Sequence, residues 1–220
     1  MQQQAMAWRA ARRRVVLVPT MGALHAGHLS LISHARRSAG PDGAVVVSVY
    51  VNPTQFNDLA DLKAYPRTLM ADKRHCRAEG ADVVFAPKTI FEKDASVMVV
   101  EDELSGRFEG EHRPGHFAGV LTVVAKLFQL VQPHEAVFGE KDFQQATLIR
   151  RMIRDLNFPV RLILAPTVRE PDGLAMSSRN IRLTPGEREQ ATVFPAAIHL
   201  ARQSRGTSAG ILKRRLRRLL

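Results

Sequence analysis

Five short apolar runs punctuate the chain: VVLVP (15–19), AVVVSVYV (44–51), DVVFAP (82–87), EAVFG (135–139) and VRLILAPTV (160–168). They are apolar almost throughout and do not alternate with polar residues. Continuous runs of this kind predict strands covered on both faces, as in a parallel sheet. Helical patterns lie between them. HLSLISHARR (28–37) follows the first run. PRTLMADKRHCRAEG (66–80) opens at Pro66 and closes at Gly80, the usual helix punctuation. HFAGVLTVVAKLFQLV (116–131) is apolar enough to predict a buried helix, and DFQQATLIRRMIRDLN (142–157) is amphipathic, with Leu148, Met152, Ile153 and Leu156 on one side. Strand–helix alternation predicts an α/β fold: a Rossmann-like open parallel sheet with helices on both faces. No internal repeat or low-complexity linker interrupts it. His34 and His75 fall on the helical stretches and read as surface residues.

The formal charge of +11 first suggests a nucleic-acid binder, but its distribution argues otherwise. Arg9, Arg12, Arg13 and Arg14 are the charged residues of 1–14, and 205–220 holds six basic residues and no acid. The stretch between carries 22 basic against 21 acidic side chains. The excess therefore reads as two solvated tails, and no nucleic-acid partner is expected. The single cysteine, Cys76, cannot form an internal disulfide, which fits a reducing compartment. The VVLV run before Pro19 is too short for a secretion signal, and no apolar run approaches the roughly 20 residues a bilayer needs. A cytoplasmic chain without a membrane partner is the expectation.

Ligands of open α/β sheets bind beyond the carboxyl ends of the strands. The segments there are PTMGALHAGH after the first run, NPTQF (52–56) after the second, GEKDFQQ (139–145) after the fourth and REPDGLAMSSRN (169–180) after the fifth. In the first, Gly22 and Gly27 allow backbone to approach a ligand, and a helix begins near His25 to His28. Its free N–H groups and positive dipole end suit phosphate. The two imidazoles fall on one face of the first turn, where each can donate to a phosphate oxygen or, if protonated, stabilise growing charge. A metal pair is the alternative, but no third and fourth ligand is adjacent, and no metal ligand is assigned. In the last segment, Ser177, Ser178 and Arg179 form a compact donor set; in GEKD, Lys141 is a point charge for phosphate and Asp142 an acceptor for ribose hydroxyls.

PTMGALHAGHLSLI, VYVNPTQFN, YPRTL, RPGHFAGV, VFGEKDFQQ, LIRRM and VREPDGLAMSSRN, in that order, resemble the pantothenate synthetase (pantoate–β-alanine ligase) family of the HxGH nucleotidyltransferase superfamily. The resemblance runs from about Val15 to about Pro185. It implies an AMP-forming ligase of coenzyme A biosynthesis, working in two steps at one site. Pantoate attacks the α-phosphorus of ATP and releases pyrophosphate, leaving pantoyl adenylate. The amine of β-alanine then displaces AMP. Mg2+ accompanies the ATP, and the family forms homodimers.

Carried over by position, the resemblance assigns Met21, Gly22, Ala23, Leu24, His25, Ala26, Gly27 and His28 to ATP, with His28 as proton donor and His25 on phosphate. Gln55 is the amide that holds pantoate and then β-alanine, and Gln145 is the second pantoate amide. Gly139, Glu140, Lys141 and Asp142 form the second nucleotide segment, with Lys141 on phosphate. The backbone of Val168 meets adenine, and Met176, Ser177, Ser178 and Arg179 form a mobile phosphate clasp. Asn52 and Arg113 lie in matching motifs without a firm role. The implied division is a nucleotide- and pantoate-binding domain over 1–167 and a partial C-terminal lid over 168–220. The family usually carries about a helix more before the first strand and continues beyond KRRLRRLL. The apolar side of 211–220 (Ile211, Leu212, Leu216, Leu219, Leu220) is therefore expected to be partly uncovered. Two alternatives remain at this point: another HxGH-type adenylyl- or nucleotidyltransferase, for which paired amides facing the acceptor would be unnecessary, and a non-catalytic nucleotide- or RNA-binding protein.

Overall fold

A computed structural model describes residues 1–219. The chain forms two compact units, Met1–Pro166 and Thr167–Leu220. In the first, the elements run α1 (Gln2–Ala10), β1 (Val15–Thr20), α2 (Ala26–Ala39), β2 (Ala44–Val49), α3 (Leu59–Ala64), α4 (Leu69–Ala78), β3 (Val83–Phe85), α5 (Glu109–His112), α6 (His116–Val131), β4 (Glu135–Gly139), α7 (Phe143–Asp155) and β5 (Arg161–Ala165). One-turn helices occupy Pro53–Gln55 and Glu140–Asp142. The five strands form one parallel sheet in the order β3-β2-β1-β4-β5. The order reverses direction between β1 and β4, which opens a crevice at their carboxyl ends.

Both faces of the sheet are covered, as the continuous apolar runs predict. Val15 and Leu17 of β1 point into a core shared with Trp8, Phe117, Leu121, Phe128, Leu148, Ile149 and Met152. Val16 and Val18 point the other way, into a core with Ile32, Ala35, Val45, Val47 and Cys76. Successive side chains of a strand face opposite sides, so a strand buried twice must be apolar at every position.

Three expectations are corrected. Residues 1–14 are not a solvated tail: Gln2–Ala10 is helical, with Ala5 and Trp8 buried. Arg13 donates to the carbonyls of Asp42 and Gly43, pairs with Asp82 and lies 5.7 Å from the Trp8 ring centroid. The local charge masked an apolar spacing of three residues between Ala5 and Trp8. On α7 the inward face is Ala146, Leu148, Ile149 and Met152, while Leu156 is 52% exposed, because the helix ends at Asp155 and releases it. Helix α4 starts at Leu69 rather than beside Pro66. His75 is exposed; His34 is half-buried, with Nδ1 2.8 Å from the Ser30 carbonyl.

The second unit begins with a tight turn in which Gly173 has φ +87° and Glu170 N–H donates to the Leu174 carbonyl. A one-turn helix (Asn180–Arg182) precedes α8 (Pro185–Gln190), α9 (Val193–Gln203) and α10 (Ala209–Leu219). A reciprocal Thr184–Glu187 capping box starts α8. On α10, Leu212 and Leu216 are half-buried and Ile211 and Leu219 exposed; Leu220 lies outside the described residues. Among the described residues no helix is long and apolar enough to cross a membrane.

Candidate active site

Strand β1 delivers the chain into a tight, strained loop. Thr20 Oγ1 donates to the Ser48 carbonyl at 2.7 Å and accepts from Gly22 N–H at 3.2 Å. Gly22 has φ +83°, and a Cβ there would stand 3.0 Å from both Asp72 Oδ2 and Val49 Cγ1, so glycine is required twice over. Ala23 also lies in the left-handed region, at φ +51°, at a cost on the order of 1 kcal/mol. Asp72, projecting from α4 and 1% exposed, offsets that cost: its carboxylate accepts from Ala23 N–H at 3.2 Å and Leu24 N–H at 2.9 Å. Thr68 Oγ1 donates to the same carboxylate at 3.2 Å. Nothing in DKRHCRAE singles out Asp72 from sequence. The available signal was its spacing of four from Cys76, which places both on the inward face.

The two histidines begin α2 as a reciprocal cap. His25 Nδ1 accepts from Gly27 N–H at 3.2 Å, and His28 Nδ1 accepts from His25 N–H at 3.3 Å. The rings lie 4.1 Å apart, centroid to centroid. A backbone N–H can only donate, so each Nδ1 keeps its lone pair and the neutral ring carries its proton on Nε2. The His28 pKa is lowered from 6.5 to about 3, first by burial, then by His25 and Lys141, with Asp142 opposing. At neutral pH, His28 is therefore a neutral Nε2–H donor. Of the two roles open from sequence, hydrogen-bond donation fits the free site and the imidazolium does not.

A cleft at the carboxyl end of the sheet brings together Met21, His28, Gln55, Asp142 and Gln145, whose segments follow three different strands. Its apolar wall includes Tyr50, Tyr65, Phe138 and the α6 residues Val120, Val123, Val124 and Leu127. Those four recur at the 3.6-residue period, on a helix that from sequence read only as buried. Gln55 Nε2 lies 3.1 Å from Met21 Sδ. Lys141 and Asp142 form an exposed 2.8 Å ion pair in the one-turn helix after β4. Gly139 ends β4 and Glu140 is exposed beside it.

Val168 and the segment Met176–Arg179 belong to the second unit. There Met176 N–H donates to the Val168 carbonyl at 3.0 Å, which makes neighbours of two positions eight apart. Ser177 Oγ accepts from Arg179 N–H at 3.2 Å. Glu170 anchors the turn, accepting from Asn180 Nδ2 at 2.6 Å and Arg188 at 3.0 Å. Among the described residues no group of three or more His, Cys, Asp or Glu side chains is disposed to hold a metal ion.

The family model described as "Pantoate-beta-alanine ligase" matches residues 1–219. A pantothenate synthetase of Akkermansia muciniphila is 56% identical over 190 residues, 86% of this chain and 68% of that protein. The crystal structure of pantothenate synthetase from Thermus thermophilus superposes with a TM-score of 0.90 at 46% identity, covering 98% of this chain and 80% of that one. The pantoate-beta-alanine ligase of Francisella tularensis, complexed with beta-gamma ATP and beta-alanine, gives 0.81 at 36% identity over 99% and 83%. The chain spans between 61% and 68% of the length of the curated relatives it matches first.

Proposed function

The chain belongs to the pantoate–β-alanine ligase family, and from that premise we propose that it joins pantoate to β-alanine at the expense of ATP. The observation that carries this reading is the cleft at the β1/β4 switch, which His28, Gln55 and Gln145 line together with an apolar wall. A nucleotidyltransferase acting on a phosphate-bearing acceptor needs no such amide pair. A small branched acid does: its methyls suit the wall, and its carboxylate and hydroxyls suit the amides.

In the first step a pantoate carboxylate oxygen forms a bond to the α-phosphorus. The bond from that phosphorus to the bridging oxygen breaks, and pyrophosphate leaves. In the second step the β-alanine nitrogen bonds to the acyl carbon, the acyl–oxygen bond breaks with AMP leaving, and the nitrogen loses its proton. The protein's part is positioning and electrostatics. The α2 N-terminus contributes its positive dipole end to phosphate binding, but not the free N–H groups expected from sequence: those of Gly22, Ala23, Leu24, His25, Gly27 and His28 are already taken by Thr20, Asp72, His28 and His25. His28 and His25 add Nε2–H donors, and Lys141 adds a positive charge. His28 donates to the oxygen on which charge grows, and bound polyphosphate raises its basicity from the depressed value of the free site. Asp142 takes ribose hydroxyls within the segment Gly139–Asp142. Gln55 holds pantoate and then β-alanine, and Gln145 holds pantoate. The Val168 backbone meets adenine, and Met176–Arg179 in the second unit clasp the phosphates. Mg2+ enters with ATP as part of the substrate.

The Francisella relative, complexed with beta-gamma ATP and beta-alanine, supports the substrate pair. The exposed apolar residues Val97, Met98 and Val100 support a homodimer, and Cys76, left without a disulfide, supports the cytoplasm. The test supplies pantoate, β-alanine and MgATP and measures AMP and pyrophosphate in equal amounts. Exchange of labelled pyrophosphate into ATP with pantoate alone reports the first step. A folded chain that binds ATP but shows neither reaction would sink the proposal.

A further inference from the structure

The segment RPGHFAG (113–119) has no task in the reaction above, yet its polar groups converge on the turn that carries Gln55. His116 is 6% exposed, and its Nδ1 lies 2.7 Å from the Gln55 carbonyl oxygen. Arg113 donates to that same oxygen at 3.1 Å, and its other terminal nitrogen lies 3.4 Å from His116 Nε2. A carbonyl only accepts and a guanidinium only donates, so the ring carries its proton on Nδ1 and accepts at Nε2. Gly119 permits the approach. A Cβ there would stand 2.3 Å from the Thr54 carbonyl oxygen and 2.9 Å from the Gln55 nitrogen, far inside contact distance.

The amide of Gln55 is set by a second chain of contacts, anchored on backbone groups whose roles are unambiguous. Asn52 is 1% exposed, and its Oδ1 accepts from Thr54 N–H at 3.3 Å. Its Nδ2 is therefore the donating end, which gives one hydrogen to the Gly119 carbonyl at 3.1 Å and the other to Gln55 Oε1 at 3.2 Å. Gln55 is left with its oxygen engaged and its Nε2 turned towards Met21 in the cleft.

We propose that residues 113–119 are a positioning device for Gln55: His116, Arg113 and Gly119 fix its backbone, and Gly119 acting through Asn52 fixes its amide as a donor towards the cleft. The inference rests on Gln55 holding pantoate. A pre-set donor suits a carboxylate or hydroxyl oxygen, and both acids of the reaction carry a carboxylate. None of the three residues lines the cleft, so each acts only through Gln55 and is a positioning residue.

The test combines hydrogen–deuterium exchange over 52–56, without ligand, with pantoate and ATP affinities for His116→Ala, His116→Asn, Gln55→Ala and the double variant. His116→Ala should speed exchange over 52–56 and weaken pantoate about five- to tenfold, the scale of one lost hydrogen bond, with ATP affinity unchanged. His116→Asn keeps a donor near the Nδ1 position and should restore most of the affinity. The double variant should bind pantoate no worse than Gln55→Ala alone. Unchanged exchange in His116→Ala, or losses that add in the double variant, would overturn the proposal. If Gln55→Ala leaves pantoate affinity intact, the assignment of Gln55 to pantoate falls, while the exchange result still judges the positioning. If His116→Ala does not fold, His116→Gln replaces it. Its amide reaches the Nε2 side and leaves the Gln55 carbonyl without its donor, so it should show the loss that His116→Asn avoids, and equal behaviour of the two would overturn the proposal.

Discussion

His28 has its Nδ1 against a backbone N–H, and that contact decides what the ring can offer a phosphate. A ring that accepts at Nδ1 presents Nε2–H outward, always in the same direction. Under the proposed mechanism that donor matters most when charge grows on the leaving pyrophosphate. His28→Ala should then lower the adenylation rate by about 10²–10³ while changing ATP affinity far less. Equal losses in pyrophosphate exchange and in ATP binding would reduce His28 to a binding residue. The same ring makes stability depend on pH. Its pKa is 6.5 when unfolded and about 3 when folded, so between those values the unfolded chain binds the extra proton. Its stabilising contribution is complete above pH 6.5 and is lost as pH falls towards 3. Denaturation midpoints measured from pH 7 to pH 4 should therefore fall less steeply in His28→Gln than in the parent chain. Parallel slopes would mean that the ring is already charged in the folded protein. The placement of both histidines was legible in HAGH, because their spacing fixes them on the first helical turn. Their protonation was not, because it depends on where the N–H groups of residues 25 and 27 point once that turn forms. Asp72 was illegible for a related reason: the amides it holds lie 48 and 49 positions away, and no local pattern records that approach.

Elements were legible to the extent that burial was uniform along them. Strands β1, β2 and β4, inside the sheet, stood out as unbroken apolar runs, and α6 was placed to the residue because its sequence is apolar on nearly every side. Edge strand β3 is shorter than its run, since only Val83–Phe85 find partners on β2. Helix α1 was missed because Arg9 and the arginines just after it, Arg12 to Arg14, drew attention and its two inward residues, Ala5 and Trp8, make only a thin stripe. That stripe nevertheless reaches the main core, where Trp8 is grouped with Val15, Leu17 and Phe128. Trp8→Ala should cost about 3–5 kcal/mol in chemical denaturation, as for other large aromatic truncations in a core. It should leave pantoate affinity unchanged, since Trp8 belongs to no wall of the cleft. A loss below about 1 kcal/mol would mean that α1 is only loosely held.

At the scale of the whole molecule, the division into two units separates what folds the protein from part of what the proposed reaction would use. Every residue of the two sheet-face cores lies within 1–166, and so does every residue of the cleft at the β1/β4 switch. The segment Met176–Arg179 and its Glu170–Arg188 anchor lie within 167–220, a stretch whose helices α8 and α9 contain no buried residue. A unit of about 50 residues with so little apolar burial cannot be the source of the chain's stability. The fragment 1–166 should therefore unfold in one cooperative step, at a denaturant midpoint close to that of the full chain, and it should still bind pantoate. Under the proposed roles it should lose pyrophosphate exchange, because the serine and arginine donors of the phosphate clasp are gone. Three measurements check this: the denaturation curve, a pantoate titration and the exchange assay. A fragment that unfolds without cooperativity would show that the core depends on 167–220. A fragment that keeps full exchange activity would remove Met176–Arg179 from the catalytic account and leave the adenylation step to the first unit alone.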